Sequence, residues 1–476
     1  MNHDLLSFIA AIETLFAKTE ADSALAAIRA LVDTVTNDPA TVGNVLSSPG
    51  LDELCQKLGA MSLNYIESEK IRPPSADRQA DVIVLATELY GVGGHTRVIE
   101  DIIRAQPDKH HLILMTNFFS HDYQFDLERF TRLGVEVSTP ESGDYVSRLV
   151  WTQLQLCSHP DAQVLVFNHH ADVASIAGIQ PGLNREVVFC HHADHHLCLG
   201  AALDWVRHVD LYEDFCNTCR AAGIKAELWP LSVPDIGARP HDPASFRRTG
   251  SLLTACSGHD AKFMAPYPFH YWTVLPQVLR RSGGRHLHIG PLSDDILNAL
   301  RAELAAQGVS EERFTHIPWV ENLGATLKEH DVDLYIGSFP LGGGRAIIEA
   351  MGAGTPIVTH ANNMYPPLGS ATLGPLGTWC WSSPNELLAI IDSASPEALA
   401  RHSQRAREHY LRTHSPAGFE AAVRGVRNAP TTGAVAPEEN SESPKVDPLA
   451  AYLLRAQVRN ETFPIVFDLL AEAAQQ

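Results

Sequence analysis

The sequence predicts an α/β protein built on two doubly wound, largely parallel sheets. Three observations carry that expectation. Short apolar, β-branched runs recur from residue 81 onward with helical segments between them. A proline-rich stretch at 230–250 splits these runs into two series. The chain's 476 residues also exceed what one hydrophobic core holds, roughly 250–300 residues.

Residues 1–77 read as a helical N-terminal region. Leu5, Phe8, Ile9, Ile12 and Phe16 fall on one face at helical spacing, and residues 24–35 supply another helix, which Asn37-Asp38-Pro39 ends. No chemistry is evident here; packing, homo-oligomer formation and acceptor contact are the roles open to it. The first βα domain is expected over 78–235. Val82-Ile83-Val84-Leu85-Ala86 suits a strand buried on both faces, and a loop with Gly91, Gly93 and Gly94 leads into a helix over 96–106. Further strands are expected at 111–116, 135–138, 163–168 and 186–190.

Pro230, Pro234, Pro240 and Pro243 mark an interdomain linker. The second domain, 250–427, has expected strands at 251–256, 285–289, 314–317, 333–336 and 356–359 and a helix over 271–281. Residues 384–425 read as mostly helical. Pro, Thr, Glu and Ser dominate 428–447, as in a flexible linker, and 448–476 forms a C-terminal helical segment.

Composition narrows the partners. With 36 Lys and Arg against 56 Asp and Glu, the net charge is −20, which disfavours a nucleic-acid surface. Asp4 and Glu13 interrupt the first apolar residues and no basic run precedes them, so no signal peptide is expected. No apolar run reaches the ~20 residues of a transmembrane helix. Scattered cysteines do not form a disulfide scaffold, and a cytoplasmic protein with reduced thiols is expected. Cys216-Asn217-Thr218-Cys219 is a lone C-x-x-C with no second pair at zinc-ribbon spacing.

The strongest chemical signal is Pro340-Leu341-Gly342-Gly343-Gly344-Arg345, between an expected strand and an expected helix. Glycines let a ligand approach the backbone, and a helix start offers N–H groups and partial positive charge to a diphosphate. Arg345 adds a cation, and Glu349 lies where it could accept hydrogen bonds from ribose hydroxyls. Residues 349–358, Glu-Ala-Met-Gly-Ala-Gly-Thr-Pro-Ile-Val, resemble the donor-binding segment of GT-B glycosyltransferases, glycosyltransferase family 4 in particular. The first Glu of that family's Glu-x7-Glu motif falls at Leu341 here. The resemblance implies two Rossmann-like domains facing a cleft, the second binding a UDP- or GDP-type sugar donor.

On the same resemblance, Gly93, Gly94 and His95 match the family's first-domain glycine turn; Ser257, His259 and Lys262 occupy a second-domain turn suited to the donor pyrophosphate. The sequence lacks the third glycine of a dinucleotide fingerprint at Gly91-Val92-Gly93. Trp319, just after an expected strand, reads as a wall for the nucleobase or as a core residue.

His191-His192-Ala193-Asp194-His195-His196 follows an expected strand, at the carboxyl end where open α/β sheets bind ligands. His191, His192, Asp194 and His195 are the candidate catalytic residues, as general base, orienting carboxylate or sugar and phosphate ligands. Two or more of the four histidines of the run are expected to be surface or supporting residues. Asn168-His169-His170 is a lesser candidate.

The expectation is metal-independent hexosyl or related sugar transfer to a hydroxyl or amide of a protein, peptide or glycan, with no cofactor. Three alternatives stay open. A metal-dependent hydrolase would use the His191–His196 run, which matches H-x-H-x-D-H except for Cys190 at its first position. An epimerase or phosphorylase could share the same architecture, and a non-catalytic sugar-nucleotide-binding protein would bind without turnover.

Overall fold

The computed structural model describes residues 5–18, 20–38, 41–90, 94–119, 127–141, 143–192, 195–364, 368–425 and 447–458. They divide into two compact units. The first holds the described residues up to Leu211, Phe215–Trp229 and 447–458; the second holds Tyr212–Asp214 and those from Pro230 to 425. The flexible linker expected at 428–447 lies outside the described residues except for Asp447, as do residues 459–476.

The first unit is organised by a seven-stranded sheet: β1 (Val82–Ala86), β2 (His111–Met115), β3 (Glu136–Ser138), β4 (Gln163–Phe167), β5 (Glu186–His191), β6 (Arg207–Asp210) and β7 (Ala226–Leu228). Its order is β3-β2-β1-β4-β5-β6-β7, and every pairing is parallel. All five residues of β1 and of β2 are buried, as covering on both faces requires. This explains why the central strands read as unbroken apolar runs.

Three N-terminal helices, α1 (Leu5–Ala17), α2 (Ala21–Thr36) and α3 (Pro49–Ser68), share one apolar core with this sheet. Contact is closest at Gly59, where an added Cβ would stand 1.9 Å from the Ala177 carbonyl oxygen. Gln153 Nε2 donates to the Gly59 carbonyl at 2.8 Å, and Gln56 Nε2 donates to Ile176 at 2.7 Å. The N-terminal helices are therefore part of the first unit's packing. The helix Pro448–Val458 joins them: Asp447 accepts from Ser48 Oγ and Gly50 N, both at 2.9 Å.

Buried Asp172 fastens the strand ends beside β1. Its Oδ2 accepts from Thr87 (2.6 Å), Thr116 (2.7 Å) and Ser175 (2.7 Å), and its Oδ1 caps the helix Val173–Gly178 through Ser175 N at 3.0 Å.

The second unit has six parallel strands: β8 (Leu253–Ser257), β9 (Arg285–Ile289), β10 (Phe314–Ile317), β11 (Leu334–Ile336), β12 (Ile357–His360) and β13 (Trp379–Trp381). Their order is β10-β9-β8-β11-β12-β13, the dinucleotide-fold order with its switch point between β8 and β11. The proline-rich stretch lies against this unit. Asp235 pairs with Arg407 through both carboxylate oxygens at 2.8 Å, and Arg239 N donates to the Ala353 carbonyl at 3.0 Å.

Strands β6, β7 and β13 add to those expected; they are three or four residues long and carry no readable alternation. No helix among the described residues is long and apolar enough to cross a membrane.

Candidate functional site

In the second unit the switch point is built by two loops, one after β8 and one after β11. The first runs through Gly258 and His259 into the short helix Ala261–Met264; the second runs from Gly337 to Gly343 and starts the helix Gly344–Gly352. They are joined at Lys262. Leu341 N donates to the Lys262 carbonyl at 3.2 Å, and Lys262 Nζ donates to the Gly342 carbonyl at 2.5 Å. Burial pulls the Lys262 ammonium below its ordinary range.

Three successive carbonyls of the loop are bonded by side chains. Asn362 Nδ2 donates to Pro340 at 3.0 Å, Ser338 Oγ to Leu341 at 2.9 Å, and Lys262 to Gly342. With these oxygens engaged, the loop delivers its glycines to a helix start whose first N–H groups have no intrahelical acceptor. At Gly342 a Cβ would lie 2.8 Å from the Gly369 carbonyl oxygen, and at Gly344 one would lie 2.0 Å from the Tyr212 hydroxyl oxygen. Both positions need glycine because another part of the unit touches the backbone.

The other expected donor residues are placed as follows. Ser257 Oγ shares a hydrogen bond with the buried Tyr335 hydroxyl at 2.6 Å, which ties β8 to β11. His259 is exposed on the first loop. Trp319 is 72% exposed on the loop after β10, so it is not a core residue. Glu349 Oε2 accepts from Leu323 N at 3.1 Å, at the start of the helix that follows the Trp319 loop. Arg345 lies half-buried in the first turn of Gly344–Gly352.

In the first unit the corresponding switch point lies between β1 and β4. Gly93 and Asp194 lie outside the described residues. Gly94 opens the helix Gly94–Ala105 with open space at its Cβ position. The His95 ring donates through Nε2 to the Glu88 carbonyl at 3.0 Å and stacks on His192, centroids 5.2 Å apart. Phe167 stacks on His192 at 5.8 Å. Burial lowers the pKa of both histidines, so both are neutral near pH 7, and His192 Nε2 has no hydrogen-bond partner.

Strand geometry sends His191 elsewhere than its neighbour. It is the last residue of β5, wholly buried, with Nδ1 3.0 Å from Asp210 Oδ1 and 3.5 Å from Cys219 Sγ. Burial pushes the Asp210 carboxyl up, but the bonds from His191 and His208 outweigh it and hold the group at about 2. His195 and His196 are partly buried, with ring centroids 4.2 Å apart; His196 is 6.0 Å from His170, which is 3.8 Å from His169. The structure thus pairs His95 with His192, separates both from His191, and puts His195 in another stack.

Local sequence held no sign of several residues that build these sites. Tyr212 meets Gly344, and Asn362 meets Pro340, through chain crossovers. Asp210 and His208 sit on β6, a strand without an apolar run.

No protein-family profile matches the sequence, and none of the curated proteins matches it. Solved structures do match. HepE from Anabaena in complex with UDP aligns with a TM-score of 0.56 at 15% identity, covering 72% of this chain and 99% of that one. The lipopolysaccharide outer core galactosyltransferase WaaB aligns with a TM-score of 0.53 at 14% identity, covering 73% and 99%. A glycosyltransferase from Rickettsia africae gives 0.51 at 12% identity, covering 73% and 97%. Two parallel sheets with the switch-point order, together with these similarities, define the GT-B glycosyltransferase fold.

Proposed function

We propose that this protein is a glycosyltransferase that takes a hexosyl or related group from a UDP- or GDP-type sugar donor bound by its second unit. The observation that carries this reading is the convergence of Lys262, the 340–343 loop and the start of the helix Gly344–Gly352 at the β8/β11 switch point. HepE, which shares the fold, has been crystallised with UDP-glucose.

In the transfer, an acceptor hydroxyl or amide forms a bond to the anomeric carbon as that carbon's bond to the diphosphate oxygen breaks. Negative charge grows on the leaving diphosphate. The helix N-terminus, Lys262 and Arg345 supply the opposing field, so the donor phosphates need no metal ion. Glu349 and Trp319 are assigned to the ribose and the base, with His259 and Ser257 beside the phosphates. A base takes the acceptor's proton. It is assigned to the first unit, among His192, Asp194 and His195, and His192 suits it best as a neutral imidazole with an unengaged nitrogen; His191, wholly buried against Asp210, is set aside.

Calorimetric titration with UDP, GDP and ADP tests the donor reading. One nucleotide should bind, and Arg345→Ala and Glu349→Ala should each weaken it; no binding, or unchanged affinity in both variants, would overturn the assignment. Leu341, standing where the family carries a Glu, favours a second reading as a sugar-nucleotide-binding protein without turnover. Release of free UDP or GDP from the cognate sugar nucleotide, with or without acceptor, separates the two.

A further inference from the structure

We propose that His191, His208, Asp210 and Cys219 form a four-coordinate site for a divalent transition metal, zinc by donor preference, inside the first unit. The set is assembled by topology. His191 ends β5 and is in register with Asp210 on β6; His208, two residues before Asp210, lies on the same face of that strand. Cys219 comes from Glu213–Ala221, the helix that follows β6.

The spacing fits a tetrahedron around one ion. Metal–ligand bonds of about 2.0–2.3 Å place nitrogen and oxygen ligands roughly 3.3 Å apart and put sulfur roughly 3.6 Å from either. Here His191 Nδ1 lies 3.0 Å from Asp210 Oδ1 and 3.5 Å from Cys219 Sγ, and that sulfur lies 3.6 Å from Asp210 Oδ1. His208 Nε2 is 3.4 Å from Asp210 Oδ2. One ligand atom from each residue lies within 4.8 Å of all the others, so a small inward movement of His208 closes the shell.

Burial gives the second, independent reason. The four residues are 0–2% exposed, yet His208 Nδ1 has no hydrogen-bond partner and His208 Nε2 meets only Asp210 Oδ2, at a long 3.4 Å. Buried polar atoms are seldom left so, because each forfeits the bonds it had in water. A metal ion would take up His208 Nε2 together with the carboxylate. Two neutral imidazoles, a carboxylate and a thiolate also balance a divalent charge, which removes the cost of burying an ion alone.

Of the four, His208 lines a cavity of about 640 Å³ together with Ala222, Gly223 and Lys225 among others. With four protein ligands the site is closed, which suits a structural role that ties β5 and β6 to the following helix. His192 and His195 are not members of it, so it is distinct from the hydrolase site that the histidine run suggested. Cys216, the other cysteine of the C-x-x-C, is also not one of the four. The proposal does not depend on the donor reading and says nothing of the donor phosphates.

Full-length protein stripped with a chelator and refilled with cobalt(II) provides the test. About one equivalent should bind per chain and give the charge-transfer absorption of a cobalt–thiolate bond. Cys219→Ser should abolish that band and Cys216→Ala should keep it. X-ray absorption of the zinc-loaded wild type, which needs no variant to fold, should show one sulfur among nitrogen and oxygen neighbours. Failure to bind zinc or cobalt would overturn the site. So would cobalt bound without the thiolate band, a band that survives Cys219→Ser, or zinc with no sulfur neighbour.

Discussion

Lys262 Nζ donates to the carbonyl oxygen of Gly342, locking the loop after β8 to the loop after β11. The same lysine's carbonyl accepts from Leu341 N. One residue therefore both shapes the glycine loop and brings a cation to it. Lys262→Met keeps the length of the side chain and removes its charge. Nucleotide affinity should fall about 10–100-fold, or ~1.4–2.7 kcal/mol. Calorimetry that finds the dissociation constant within twofold of wild type would remove Lys262 from the donor site.

Gly344 and Tyr212 form a packed pair. A methyl group on Gly344 would meet the phenol oxygen at 2.0 Å, so Gly344→Ala should destabilise the second unit by about 1–3 kcal/mol through overpacking. Truncating the phenol as well, with Tyr212→Ala, should recover part of that loss. A double-mutant cycle in denaturant measures the coupling, and simple additivity would show that the two residues do not touch.

Trp319 is 72% exposed, so its packing contributes little to stability. Trp319→Ala should leave the unfolding free energy within about 0.5 kcal/mol of wild type. If its ring stacks on the nucleobase, the same change should weaken nucleotide binding by ~1–3 kcal/mol, the usual worth of a base–aromatic stack. Parallel melting and titration read both effects. A large loss of stability would instead mark the ring as structural.

His360 makes stability depend on pH. The wholly buried ring donates from Nδ1 to the Trp381 carbonyl at 3.0 Å and accepts at Nε2 from the Tyr267 hydroxyl at 2.9 Å. Both nitrogens are engaged in the neutral form, and burial lowers the pKa from 6.5 to about 4. Because the folded value lies below the unfolded one, this contribution is complete above pH ~6.5 and is lost as pH falls through ~4, by at most about 3 kcal/mol. His360→Gln should flatten that part of the acid limb in denaturant titrations at pH 4 and pH 7. An unchanged slope would show that the ring does not titrate as its burial implies.

Much of the fold was legible because the central residues of β1, β2, β4 and β5 are buried on both faces and form short apolar runs. The short strands were not. Arg207-His208-Val209-Asp210 and Trp379-Cys380-Trp381 offer too few residues to show a period, and neighbouring strands hold them in place. The loop at 340–345 was legible for a local reason: three consecutive glycines mark a tight strand-to-helix turn. The histidine run was less so, because reading it as one cluster ignores the alternation that turns His191 inward and leaves His192 against His95.

By itself, the sequence determined the α/β class, the two series of strands and the glycine loop at a helix start. Each depends on residues within about a dozen positions of one another. Only the tertiary structure decided that Lys262 holds Gly342, that Tyr212 stands against Gly344, and that His191, His208, Asp210 and Cys219 meet. Those relations follow from strand order and register, which come from packing many distant apolar residues at once and leave no mark on the local sequence.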